Sequence, residues 1–361
     1  MTEGNVMIDF ESEDFAHTVD KVNLDWSTIG FKYRKTDYSY VSHYEDGAWD
    51  AGGLTRDHTL HLSECANILH YCQEVFEGLK AYTTKQGDIV CFRPDLNAER
   101  MATSAERIVM PPFPKERFLD AVKQVVLANA IWVPPFGTGA SLYVRPLMIG
   151  TGDTIGVQPS STYEFRIMVT PVGAYYSSGV KPVALTVSKY DRAAPHGTGN
   201  IKAGLNYAMS LLPTTEAHKD GFADSMYLDS QSRTYVEESS GANFLFVDEA
   251  GKLVVPKSFT DSILPSITRR SLVHVAKEYL NMEVEERPVR FDEIDRFVEC
   301  GMCGTAAVIS PVGKVVDGEK EIVFGAGMAE VGPVMSKLRH TLTGIQSGEI
   351  EAPKGWIFKI C

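Results

Sequence analysis

Nowhere in the 361 residues do about 18 apolar residues run together, so no membrane-spanning helix is expected. Cysteine is sparse: Cys65, Cys72, Cys91, Cys300, Cys303 and Cys361 are all there is. In a chain this long, six thiols do not make a disulfide framework. Cys300-x-x-Cys303 has no second pair to complete a zinc site and no thioredoxin-like surroundings. His58 and His61, in HTLH, are equally weak as a metal signal and are expected in a strand or turn. Positive charge is short, with 35 Lys and Arg against 47 Asp and Glu and a net charge of −12. That balance disfavours nucleic acid or an anionic membrane as the main partner. The opening MTEGNVMIDFESEDF has neither a basic-then-apolar leader nor Arg-rich transit character, so a cytoplasmic location is expected. GTGDTIG, residues 150–156, begins like a dinucleotide loop but has Ile155 where the last glycine belongs. There is no G-x-x-x-x-G-K-[ST], no G-x-S-x-G and no H-E-x-x-H. Nucleotide-binding, serine-hydrolase and zinc-protease readings therefore lose their usual support.

What is present is the material of an ordinary globular protein: 44% apolar and 23% charged residues, at a length that suggests two domains. SECANILHYCQEVFEGL, residues 63–79, predicts a helix capped by Ser63 and stopped near Gly78. AYTT-KQGD-IVCF predicts a hairpin. PDLNAERMATSAERI and ERFLDAVKQVVLANAI predict helices, and 141–150 and 163–172 predict strands. PVGAYYSSGVKP, residues 171–182, changes the texture with its prolines, glycines and serines and reads as a domain boundary. The expected organisation is a small N-terminal α+β domain over 1–172, an interdomain loop over 173–181 and a large C-terminal α+β domain over 182–361. Beyond the boundary, VALTVSKY is a strand and NYAMSLLPTTEAHKDG a helix with a kink or break at Pro213. SMYLDSQSRTYVEE and FLFVDEAGKLVV are hairpins. LPSITRRSLVHVAKEYL and GPVMSKLRHTLTGIQSG are helices. Strands and helices mix without regular alternation, which argues an α+β fold.

Four stretches carry candidate chemistry, each with a plain structural alternative. GNIKAGLNYA, 199–208, sets Lys202 among small residues. It is either a surface turn or an amine held where a ligand reaches it, and desolvation or neighbouring cations would make that amine nucleophilic. TYVEESSGANFLFV, 234–247, ends a strand on Glu237 and Glu238, only one of which can face inward. The following SSGAN allows close backbone approach. LPSITRR opens a helix whose first N–H groups, at Ser266, Ile267 and Thr268, suit an anion, as every helix start does. GTAAVISPV, 304–312, offers backbone N–H groups at Thr305 and Ala306, or is simply a buried strand entered through a glycine.

Taken together, LHYCQEVFEGLKAY, RPDLNAERM, LYVRPLMIG, VGAYYSSG, GNIKAGLNYA, YVEESSGANFLFV, SILPSITRRSL and GTAAVISPV occur in an order that resembles the branched-chain amino-acid aminotransferases. These are fold-type-IV enzymes that use pyridoxal 5′-phosphate, and the likeness spans roughly residues 25–360. The resemblance implies a two-domain α+β architecture of that type. It implies that Lys202 bonds covalently to the cofactor aldehyde and then moves the proton from substrate Cα to cofactor C4′. By the same resemblance Glu238, five residues before Asn243, pairs with the protonated pyridine nitrogen, with Glu237 as the competitor rejected on spacing. Arg100, Ile267, Thr268 and Thr305 would hold the phosphate, and Tyr207 would hydrogen-bond the cofactor. Thr305 and Ala306 would receive the substrate α-carboxylate. Phe31, Tyr71, Phe76 and Tyr143 would wall the pocket, and Arg145 with Tyr71 would receive the distal carboxylate of glutamate. The implied reaction exchanges amino groups between branched-chain L-amino acids and 2-oxoglutarate, in a homodimer. The alternatives are a D-amino-acid aminotransferase, an aminodeoxychorismate lyase or a non-catalytic binder on the same scaffold. The family's redox C-x-x-C positions are Ala307 and Ser310 here, so thiol regulation is not carried over; oxidation of Cys303 is kept only as a possible disturbance of the site.

Overall fold

The computed structural model describes residues 20–173 and 180–361. Residues 174–179, most of the expected interdomain loop, lie outside the described residues. The chain divides into two compact units. The first comprises Met1–Ser177, Lys202–Gly204 and Ile345–Cys361; the second comprises Ser178–Ile201 and Leu205–Gly344. Neither unit is one continuous run of chain.

The first unit contains β1 (Ser39–Glu45), β2 (Ala48–Trp49), β3 (Gly53–Thr55), α1 (Asn67–Tyr71), β4 (Glu74–Phe76), β5 (Leu79–Thr83), β6 (Ile89–Phe92), α2 (Pro94–Arg107), α3 (Lys115–Ala128), β7 (Ser141–Gly150) and β8 (Tyr163–Val172). Its sheet runs from the C-terminal strand Ile357–Lys359 through β6, β5, β7, β8 and β1 to β2, with β3 added on β1 and β4 on β7. The C-terminal strand joins this sheet because its register on β6 sets Phe358 opposite Cys91. Phe118, Val122 and Val125 of α3 are fully buried. Phe118 meets the ring of Phe165 from β8 at 5.9 Å between centroids, the packing expected of an amphipathic helix on a sheet.

The predicted helix over 63–79 is corrected. Only Asn67–Tyr71 is helical, and Cys72 ends it in the left-handed region at φ 52°. Glu74–Phe76 then runs as a strand against β7. Helical spacing of apolar residues was a real local signal, but pairing with β7 overrides it.

The second unit holds, whole or but for an end residue or two, β9 (Val183–Val187), α4 (Gly204–Ala208), α5 (Leu211–Lys219), β10 (Asp224–Leu228), β11 (Val236–Ser239), β12 (Asn243–Val247), β13 (Leu253–Pro256), α6 (Ile267–Glu278), β14 (Val284–Arg287), β15 (Glu299–Gly304), β16 (Val308–Asp317), β17 (Lys320–Val323) and α7 (Pro333–Gln346). The sheet order is β11-β10-β9-β16-β15-β12-β13-β14. Because β11 also pairs with β12, six of these strands close on themselves. Leu185, Met226, Phe244, Phe246 and Val315 belong to the core cluster of this unit. The closing bridge sets Glu238 opposite Asn243, so the candidate carboxylate sits at the seam of the ring. Pro213 causes no kink: it lies in the first turn of α5, where an N–H would have no helical partner anyway. The break falls before it, ahead of Leu211. Among the described residues no helix is long and apolar enough to cross a membrane, and no cluster of His, Cys, Asp and Glu could hold a metal ion.

Candidate active site

In the first unit the candidate residues gather around Lys202. Hydrogen bonds hold its backbone and that of nearby Gly204. The N–H of Lys202 donates to Ser104 Oγ at 3.0 Å, its carbonyl accepts from Phe76 N–H at 3.1 Å, and the N–H of Gly204 donates to Glu74 Oε2 at 2.8 Å. The ammonium lies 4.7 Å from the centre of the Phe76 ring. Burial pulls the proton affinity of this amine down to about 8, and the charges of Arg100 and Arg145 act in the same direction against Glu77 and Tyr143. Lys202 as a residue keeps some exposure, but the protein packed around its amine desolvates the charge, and that decides the direction.

Arg100 comes from α2 and is forked onto the fully buried Glu77, Nε to Oε1 at 2.8 Å and Nη2 to Oε2 at 2.7 Å. Asn97 adds a third donor to Glu77 at 2.7 Å. Bidentate pairing of this kind fixes orientation as well as charge. Arg145, on β7, donates through Nη2 to the Tyr143 hydroxyl at 2.8 Å. Its guanidinium covers the rings of Phe76 and Tyr143 at 4.9 and 5.1 Å. Phe31 meets Tyr143 edge-on at 5.6 Å and is 48% exposed. Tyr71 is placed differently: its hydroxyl donates to the carbonyl of Ile155, so the hydroxyl bonded to Arg145 is that of Tyr143.

In the second unit the centre is Glu238, 1% exposed. Its carboxylate receives Asn243 Nδ2 at 2.8 Å and the N–H of Leu264 at 3.1 Å. Arg192 Nη1 lies 2.7 Å from Oε1. Arg192 is itself only 2% exposed, and neither Nη1 nor Nε makes an aligned hydrogen bond, so charge holds this pair. Burial pushes Glu238 up to about 7 while Arg192 and the Leu264 N–H pull it down. Glu237 projects to the other side of β11 and takes the hydroxyl of Ser262. Burial raises its proton affinity too. Adjacent strand residues thus separate as the pleat requires.

Ser266 caps α6, its Oγ accepting from the N–H of Arg269 at 3.2 Å. The helix cannot pair the N–H groups of Ile267 and Thr268, which open it. Thr305 and Ala306 stand in the turn from β15 to β16, both partly exposed. Tyr207 is on α4, and a Cβ placed at Gly241 would lie 3.9 Å from its ring. Cys300 and Cys303 lie on β15 opposite Phe246 and Asn243. Three apart on a strand, they face opposite sides. Both are buried; burial pushes Cys303 up to about 12 and Cys300 well above its ordinary value. Thiols held so firmly protonated resist oxidation.

Arg192 and Glu74 were missed by reading the sequence. Arg192 is followed by small residues and a proline, and its partner comes from a distant strand. Glu74 lay inside a predicted helix.

Comparison with known proteins agrees with this chemistry. Residues 74–315 match the family described as Amino-transferase class IV. The branched-chain-amino-acid aminotransferase of Haemophilus influenzae is 51% identical over 343 residues, covering 94% of this chain and 99% of that protein. The crystal structure of the Escherichia coli branched-chain amino acid aminotransferase superposes with a TM-score of 0.76 at 31% identity, covering 91% of this chain and all of that one. The branched-chain amino acid aminotransferase from Thermobaculum terrenum, in its PLP-bound holo form, gives 0.74 at 26% identity, over 91% and 99%. With a matching family over most of its length and half its residues shared with such a relative, the chain belongs to the class IV aminotransferases and, among them, to the branched-chain-amino-acid aminotransferase family.

Proposed function

We propose that the protein transfers the amino group of L-leucine, L-isoleucine or L-valine to 2-oxoglutarate with pyridoxal 5′-phosphate, yielding branched 2-oxo acids and L-glutamate. The observation that carries this reading is Lys202, an amine lowered to about 8 beside Arg100 and Arg145. The residues suit the cofactor: a desolvated amine for its aldehyde, a buried carboxylate for its ring nitrogen, and two unpaired N–H groups at the start of α6 for its phosphate. When bound, pyridoxal phosphate supplies an aldehyde carbon that accepts the amino group and a ring that draws electrons from substrate Cα.

The chain's own residues do the rest. Lys202 is ready as a nucleophile because a substantial fraction of it is neutral near pH 8. With cofactor and amino acid bound, the same amine would take the proton from substrate Cα and deliver it at C4′. Glu238 would hold the proton of the ring nitrogen, and Arg192 favours the charged form of Glu238 against its burial. Arg100, Ile267, Thr268 and Thr305 would hold the phosphate, and Tyr207 would hydrogen-bond the cofactor. Thr305 and Ala306 receive the α-carboxylate through backbone N–H groups. Phe31, Tyr71, Phe76 and Tyr143 form the wall for an aliphatic side chain, and Arg145 with Tyr143 receives the distal carboxylate of glutamate. A homodimer is part of this proposal. The test is the absorbance of purified protein before and after L-leucine, together with turnover of L-leucine against D-alanine. A yellow protein that bleaches and turns over L-leucine is expected; a colourless one, or preference for D-alanine, would overturn the reading.

A further inference from the structure

Glu74 is an acidic side chain of the first unit that the reaction above leaves without a task. It stands on β4 two residues before Phe76, and the two share the strapping of the Lys202 segment. Phe76 N–H holds the Lys202 carbonyl, and Glu74 Oε2 holds the N–H of Gly204 at 2.8 Å. A Cβ at position 204 would overlap that same oxygen, so any larger residue there would push the Glu74 carboxylate off this hydrogen bond. Of the ties from Ser104, Phe76 and Glu74, the one from Glu74 is made by a carboxylate.

The charge matters because of its surroundings. Glu74 and Phe76 stand opposite Ile149 and Leu147 of β7, on the face that also carries Arg145, whose guanidinium covers the Phe76 ring at 4.9 Å. Arg145 and Lys202 are the cations that act on Glu74, against the burial that raises its proton affinity. Tyr143 accompanies Arg145 on β7, while Glu77 and Arg100 act on Lys202. Among the described residues Arg145 has no carboxylate within ion-pair distance, and its Nε is buried without a partner. Such a guanidinium favours an incoming anion and is poorly matched to an aliphatic side chain. A fixed carboxylate nearby reduces both tendencies.

We propose that Glu74 is a positioning and specificity residue: through Gly204 it fixes the backbone that carries Lys202, and its carboxylate moderates the positive charge Arg145 presents, so one pocket accepts both an acidic and an aliphatic side chain. The second half rests on the reading of Arg145 as the receptor of the distal carboxylate.

Three holoenzyme variants separate the parts. Glu74→Gln keeps an acceptor for Gly204 but removes the charge. It should hold kcat for L-leucine within about twofold, while the affinity ratio of glutarate to 4-methylvalerate, measured by calorimetry, rises on the order of fivefold to tenfold. Glu74→Ala removes both and should also lose about tenfold in kcat through misplacement of Lys202. Arg145→Met should abolish the glutarate preference. An unchanged affinity ratio in Glu74→Gln, with Arg145→Met behaving as expected, overturns the specificity role alone. Wild-type kcat in Glu74→Ala overturns the positioning role. An unchanged ratio in Arg145→Met sinks the Arg145 reading and the specificity role with it. Circular dichroism melts of all three variants establish that the fold is retained, and Glu74→Gln keeps the hydrogen bond on which local structure depends.

Discussion

Replacing Arg192 by leucine removes the one cation in ion-pair contact with Glu238 among the described residues and leaves the carboxylate buried. Both side chains are nearly inaccessible, so water cannot take the place of the guanidinium. Breaking one side of a buried pair costs about 3–5 kcal/mol. The cost depends on pH, and its sign follows from Glu238. Its proton affinity is raised to about 7 in the folded protein, above that of the unfolded chain. The folded state therefore binds the proton more tightly, and this contribution favours folding at low pH and is lost as pH rises towards 7. At pH 6 the carboxyl is largely neutral with or without Arg192, so the substitution costs little there. At pH 8 the full charge must be buried alone or a proton taken up against the solvent. For a unit of this size the loss corresponds to a fall in melting temperature on the order of 10 °C at pH 8. The assay is thermal unfolding of apoenzyme at pH 6 and pH 8 for Arg192→Leu, Glu238→Gln and the double variant. The double variant should be more stable at pH 8 than Arg192→Leu alone, because a neutral amide needs no cation. A melting temperature for Arg192→Leu within about 2 °C of wild type at pH 8, or a double variant that melts lower still, would refute the reasoning.

Other outcomes follow from the same geometry. Lys202→Ala should keep its melting profile but lose turnover by about 10³-fold or more, since both nucleophile and proton carrier go; single-turnover rates with L-leucine measure it. Gly204→Ala should displace the Glu74 carboxylate and destabilise the first unit by about 1 kcal/mol through loss of its hydrogen bond, visible in urea unfolding. Thiol titration of native holoenzyme should label Cys72, which is exposed, and spare Cys300 and Cys303. Peroxide should then inactivate wild type and Cys303→Ser alike; protection by the serine would show that the Cys303 thiol is reachable.

The regular elements were legible because their signals are local. α2, α3 and α6 carry helical apolar spacing that agrees with the faces they bury, and the hairpin turns carry glycine where the backbone needs it, as at Gly87 and Gly251 with positive φ. Residues 63–79 misled because Glu74–Phe76 pairs with β7, and although β7 itself is legible as a strand, nothing within 63–79 announces that pairing. The choice of Glu238 over Glu237 was legible only through spacing to Asn243. In the structure these two residues close the ring of strands, a long-range fact with a short-range signature. The depressed proton affinity of Lys202 was not legible at all. It depends on Arg100, Arg145 and Glu77, contributed from α2, β7 and the segment after β4.

The central claim is that the Lys202 amine carries the cofactor. Purified enzyme reduced with borohydride, digested and mapped by mass spectrometry tests it directly. The mass increment of a reduced pyridoxyl phosphate should fall on the peptide bearing Lys202 and vanish in Lys202→Ala. The same increment on another lysine, or none on a protein that still turns over L-leucine, would contradict the account.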